Sequence, residues 1–192
     1  MKKTVENKLK NQKVYVEDKY WRNLGINNFF KGLNNLENKN IKNKSLVSNC
    51  RETQLTFFYP SAFYPYKNHK NLIYAFKGIS ETFGIEIRLI LTLSKEELPA
   101  SMQSLNFLIY TGEVNIFDIH EIYQRVDYLI FPSLLESLGL PLIEAKLYNL
   151  PTICSRRDFV FDVCKPTLTF DPENIEDIRK SLREAVKKKI YL

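Results

Sequence analysis

Cysteine is scarce. The three present, Cys50, Cys154 and Cys164, are odd in number and lack CxxC spacing, and two of them sit in apolar runs that read as core. That usage leaves no disulfide framework and fits a reducing cytoplasm. Long apolar runs are missing as well: no stretch approaches the roughly 18 residues that a membrane-spanning helix needs. The lysine-rich start MKKTVENKLK is not followed by the apolar core of a secretory signal. The chain is therefore expected in the cytoplasm, or at the inner face of a membrane. Its first fifty residues show neither a run of strands nor a glycine-rich phosphate loop.

What is present is enough for one good core. The 192 residues are 44% hydrophobic and 13% aromatic, which suits one domain with an appendage. Charge is uneven. Residues 1–50 hold eleven Lys/Arg against four Asp/Glu, and residues 51–192 hold seventeen against eighteen, so the net +6 belongs to the first quarter. Such an arm could meet anionic lipid or nucleic acid, but a solvated Lys/Asn-rich surface is the favoured reading. No recognition motif supports nucleic acid as a partner. Eleven asparagines and few apolar runs mark residues 1–50 as an extension and linker, with the domain proper at 51–192.

From residue 54 short apolar runs alternate with amphipathic stretches. Strands are predicted at 54–60, 86–93, 106–112, 127–133, 151–155 and 166–170. Helices are predicted at 69–84, closed by Gly84, and at 116–126, 140–149 and 174–189, while Pro99 limits any helix in SKEELPASMQSL to a short one. Continuous apolar strands alternating with helices imply a parallel sheet covered on both faces, a doubly wound, Rossmann-like α/β domain.

In such a sheet, ligands bind beyond the carboxyl ends of the strands, where helix N-termini present backbone N–H groups to anions. FPSLLESLGLPLIEA, residues 131–145, occupies that position. Ser137, Leu138, Gly139 and Leu140 precede or open the helix, and their amides suit a phosphate; Gly139 lets a ligand approach the backbone closely. Glu136 falls in the loop and Glu144 in what reads as the first helical turn. Carboxylates so placed accept hydrogen bonds from a hydroxyl-rich ligand. Alternatively, they complement the positive end of the helix dipole.

The run FPSLLESLGLPLIEAKLYNLPTICS resembles the donor-binding signature of retaining GT-B glycosyltransferases (family four, the group one type), whose hallmark is two glutamates separated by seven residues. Glu136, Gly139, Leu140, Pro141, Glu144, Ala145 and Pro151 match. FFYPSAFYPYKNHKNLIYAF resembles the first strand, phosphate loop and helix of the family's C-terminal domain, and IYTGEVN its base-side loop. The resemblance covers residues 54–185 and implies the donor half of such an enzyme, working in cell-surface polysaccharide or lipopolysaccharide synthesis.

Carried over, it makes Glu144 the partner of the nucleotide's ribose hydroxyls and Glu136 a contact to the donor sugar near its reacting carbon. Lys67 would neutralise the diphosphate leaving group, and Gly112 and Val114 would pass the base through backbone contacts. The substrate implied is a UDP- or GDP-sugar, with no cofactor and no metal, and the chain has no DxD signature. Many relatives carry an arginine five residues before the lysine, where this chain has Ala62; Arg156 or Arg157 are candidates to replace its charge, or plain surface. His69 either touches phosphate or stacks at the helix start. His120 reads as structural, and Tyr64 and Tyr66 as packing or as lining for the donor site.

GT-B enzymes close a second, acceptor-binding domain over this one, and only about fifty residues precede the donor domain here. That leaves three expectations: a split enzyme with a separate acceptor-domain subunit, a truncated product, or a domain that binds a nucleotide sugar without transferring it. The acceptor implied is a glycan or a lipid-linked glycan.

Overall fold

The computed structural model describes residues 54–79 and 85–190; the predicted N-terminal extension, Cys50 and Gly84 lie outside them. Six strands alternate with five helices among the described residues. They run β1 (Gln54–Tyr59), α1 (His69–Lys77), β2 (Glu86–Leu91), β3 (Leu108–Tyr110), α2 (Ile116–Arg125), β4 (Tyr128–Phe131), α3 (Leu140–Leu147), β5 (Thr152–Ser155), α4 (Asp158–Val163), β6 (Leu168–Phe170) and α5 (Ile175–Ile190). Between β2 and β3 the chain makes only short 3-10 turns, at Lys95–Glu97 and Ala100–Met102, as Pro99 requires.

All strands are parallel, in the order β3-β2-β1-β4-β5-β6. The chain builds outward from β1 to β3, then crosses back to lay β4 on the other side of β1. This is the Rossmann-like, doubly wound order, and its reversal opens a crevice at the carboxyl ends of β1 and β4. Central position explains the sequence of β1: QLTFFY is buried at every residue, so it reads as a continuous rather than alternating pattern.

Successive strand residues face opposite sides. Phe57 meets Phe76 of α1 edge-on (centroids 5.1 Å apart), and Phe58 meets Tyr123 of α2 in the same manner at 5.1 Å. The two helices therefore cover opposite faces. α5 packs with α1 on one face, while α3 packs on β4 and α4 on α2's side. Among the described residues no helix is long and apolar enough to cross a membrane.

Several strands are shorter at their ends than expected, and three features of the helices also differ. α1 stops at Lys77, short of the expected end; its C-cap is Gly78, in a right-handed conformation, whose N–H bonds the carbonyls of Ala75 and Phe76. α4 was not expected: DFVFDV is short and has Arg157 rather than a side-chain cap before it, and one buried residue, Val160, anchors it. α3 begins at Leu140, with Pro141 in its first turn as expected, but contains no acidic residue in that turn. Glu144 stands in the second turn, because a turn takes 3.6 residues.

Candidate functional site

The crevice is walled by two loops. The first, after β1, contains a 3-10 turn, Pro65–Lys67, and ends on Asn68, whose φ of 61° is left-handed, a conformation asparagine tolerates better than most residues. The second, after β4, runs through Glu136 to Gly139, whose φ of 63° caps α3.

The loops are tied together. Leu134 N–H donates to the Tyr66 carbonyl at 2.8 Å. Tyr59, at the end of β1, donates its hydroxyl hydrogen to the Lys67 carbonyl at 2.9 Å. A phenol has one hydrogen to give, so Ser133 must be the donor in its 3.0 Å bond with the Tyr59 hydroxyl. The buried Asn68 amide donates to the carbonyls of Pro132 (3.2 Å) and Pro172 (2.7 Å), latching the loops after β1, β4 and β6 at one point. Asn68 was absent from the candidates; the only signal for it was an asparagine directly before a helix.

Within this frame Lys67 and Glu136 form an ion pair, Nζ to Oε2, their side chains 16% and 15% exposed. The lysine also lies 5.5 Å from the Tyr66 ring centroid. Ser137 and Leu140 are exposed, Leu138 is half-buried and Gly139 buried. A Cβ at Gly139 would stand 3.2 Å from Leu142 Cδ1, so positive φ and close packing both select glycine. Gly112, after β3, also has positive φ (65°), with open space where a Cβ would be, and its N–H donates to the Leu93 carbonyl at 3.0 Å. Val114 packs half-buried on the core two residues on. Because the sheet is parallel, all these positions share one edge.

Glu144 reaches α2. Its Oε2 accepts a 2.6 Å bond from Tyr123, whose ring stacks on Tyr148 (5.1 Å, 6°). Burial raises the Glu144 carboxyl above its usual range, and the Tyr123 bond opposes that rise. Being in the second turn and bonded to a tyrosine, Glu144 is badly placed to serve the helix dipole. Nothing local in the sequence marks Tyr123, which lies 21 residues from Glu144 in the chain.

His69 does not open onto the crevice. It is 1% exposed and sits between Tyr59 (4.9 Å) and Phe63 (5.4 Å), with no hydrogen-bond partner on either ring nitrogen, so of the two readings the structure supports stacking. Burial, aided by the Lys67 charge, pushes its pKa down to about 4. His120 bonds Tyr148 and is half-buried. Tyr64 and Tyr66 stack on one another (5.5 Å, 3°) while 52% and 41% exposed, so they are not core. Arg156 and Arg157 pair with Asp177 (3.4 Å) and Glu173 (2.5 Å). Among the described residues no group of His, Cys, Asp and Glu forms a metal-binding cluster.

The sequence pattern of the family Glycosyl transferases group 1 matches residues 40–191, most of the chain. The chain belongs to the glycosyl transferases group 1 family. The match begins inside the stretch expected to be linker. A curated relative, the O-antigen chain mannosyltransferase RfbU of Salmonella typhimurium, is 27% identical over 119 residues, 60% of this chain and 34% of the relative. The chain thus spans about a third of that protein's length.

Solved structures share the fold of this group 1 domain. Sucrose-phosphate synthase from Thermosynechococcus elongatus superposes with a TM-score of 0.61 at 17% identity, covering 73% of this chain and 38% of that one. WaaG, a glycosyltransferase involved in lipopolysaccharide biosynthesis, gives 0.59 at 19% identity, with 71% and 39% covered. Anabaena HepE, solved in complex with UDP and glucose, gives 0.57 at 13% identity, with 71% and 40% covered.

Proposed function

We propose that this domain is the donor half of a retaining GT-B glycosyltransferase that binds a nucleoside diphosphate sugar in the crevice between β1 and β4, without a metal. The observation that carries the reading is the Lys67–Glu136 ion pair, set between two cross-linked loops beside the glycine-led start of α3. A diphosphate would take Lys67 in exchange for Glu136, helped by the amides of residues 137–140, and the freed carboxylate would turn toward the sugar. Lysine and helix amides stabilise the charge that grows on the diphosphate as the anomeric bond breaks. Glu144 would accept from ribose hydroxyls, and the loop at Gly112 and Val114 would border the base.

The wider role is cell-surface polysaccharide or lipopolysaccharide synthesis, supported by what RfbU and WaaG are named for, and the UDP held by HepE supports a nucleotide ligand. Transfer needs a second, acceptor-binding wall for a glycan or lipid-linked glycan, on this polypeptide or on a separate subunit. A lipid-linked acceptor would bring the domain to the inner membrane surface as a peripheral protein.

Calorimetric titration with UDP, GDP and their common sugars tests the reading. Saturable binding tighter than about 1 mM, lost in Glu144→Ala, is expected; no binding by any of them rejects it.

A further inference from the structure

Glu144 is held from one side only. Tyr123 takes Oε2, whereas Oε1 accepts no hydrogen bond among the described residues and is not sealed from solvent. Tyr123 itself has little freedom. It is 2% exposed, its ring meets Phe58 edge-on (5.1 Å, 81°) and stacks on Tyr148, and Tyr148 is fixed in turn through its hydroxyl to His120 Nδ1. A rigid phenol therefore aims one hydrogen at one oxygen of a long, flexible side chain.

We propose that Tyr123 is a positioning residue for nucleotide recognition: its hydroxyl fixes the Glu144 carboxylate on α3 so that Oε1 meets a ribose hydroxyl. The proposal rests on the reading of Glu144 as the ribose acceptor. Two physical effects follow from one bond. A carboxylate already ordered loses less rotamer freedom when ligand arrives. A hydrogen bond donated to a half-buried carboxylate also favours the anion, the form that accepts from hydroxyls and that burial otherwise disfavours. The titratable groups facing the carboxylate are Tyr123 from α2 and Tyr148 from the residue closing α3, with His120 behind Tyr148. Burial and the Glu144 charge hold both phenols above their ordinary range, so they stay protonated while Glu144 titrates.

The test is calorimetry on the full chain with whichever of UDP and GDP binds, from acid to neutral pH, using wild type, Tyr123→Phe, Glu144→Gln and the double variant. Tyr123→Phe is expected to weaken binding about tenfold at neutral pH and to move the acid limb of the affinity profile upward. In the Glu144→Gln background the same change should alter affinity less than about twofold, because the two act as a unit. An equal loss in both backgrounds makes Tyr123 merely structural. Unchanged affinity and pH profile in Tyr123→Phe, with Glu144→Gln impaired, overturns positioning while leaving the ribose reading intact. Glu144→Gln binding like wild type removes the ribose reading, and the proposal with it. If Tyr123→Phe does not fold, 3-fluorotyrosine at position 123 keeps the hydroxyl as a stronger donor; the acid limb should then move downward, and an unmoved limb overturns the proposal.

Discussion

Lys67 and Glu136, 69 residues apart in the chain, form an ion pair across the crevice where the strand order reverses. Neither charge stands open before a ligand arrives. An incoming anion must compete with a carboxylate for the lysine, and this gives the two residues opposite signatures.

Lys67→Ala should weaken UDP or GDP by about tenfold or more and leave the bare nucleoside within about twofold, since only the phosphates meet the ammonium. Glu136→Gln should strengthen the unglycosylated nucleotide a few-fold by removing its competitor, and abolish any preference for the sugar-bearing form. Calorimetry with the nucleoside, its diphosphate and the diphosphate sugar reads both. A Glu136→Gln variant that binds diphosphate more weakly would mean that the pair is scaffold rather than site.

His69 predicts how stability depends on pH. Its folded pKa, about 4, lies below the ordinary 6.5, so the unfolded chain binds the extra proton between those values. The contribution is fully present above pH 6.5 and is lost as pH falls toward 4, on the order of 3 kcal/mol in all. Melting temperatures measured across that window should fall less in His69→Phe than in wild type, the aromatic stack between Tyr59 and Phe63 being kept. Parallel pH curves for the two proteins would show that His69 takes up its proton without unfolding.

Gly139 and Gly112 share a left-handed backbone but not their surroundings. Gly139→Ala should cost about 2 kcal/mol, combining backbone strain with the push on Leu142, and should weaken nucleotide binding by shifting the start of α3. Gly112→Asn, in open space and with a residue type tolerant of positive φ, should cost less than about 1 kcal/mol. Denaturant melts of both variants, with nucleotide titrations, check the contrast.

Tyr59→Phe removes the hydroxyl that joins the Lys67 carbonyl to Ser133 and leaves both short of a partner in a buried place. A loss of about 1–3 kcal/mol is expected by denaturant melting. The crevice walls should also loosen, seen as faster amide exchange at Leu134, whose N–H bonds the Tyr66 carbonyl.

Much of this was legible in the residues. β1 announced itself because QLTFFY is mostly apolar and buried on both faces, and the loop-to-helix join at 131–145 because glycine and proline punctuate the chain between a buried strand and a helix. What could not be read depends on tertiary neighbours. Nothing local in IFDIHEIYQR says that Tyr123 will find a carboxylate on the next helix, or that Asn68 will latch loops from three strands. α4 escaped because six residues without a side-chain cap carry almost no periodic signal. His69 was ambiguous for the same reason: sequence gives the residue after the loop, and packing decides that it faces Tyr59 and Phe63 instead of the crevice.

The sheet narrows from six-residue strands at β1 and β2 to three residues at each margin, β3 and β6, among the described residues. Margins that short are poor templates for another chain's strand, and one β6 carbonyl, that of Thr169, is already taken by Ser181. Partnership by strand addition is thereby discouraged. The exposed apolar surface lies instead at the loop-bearing rim, with Tyr64, Tyr66, Leu135 and Leu140.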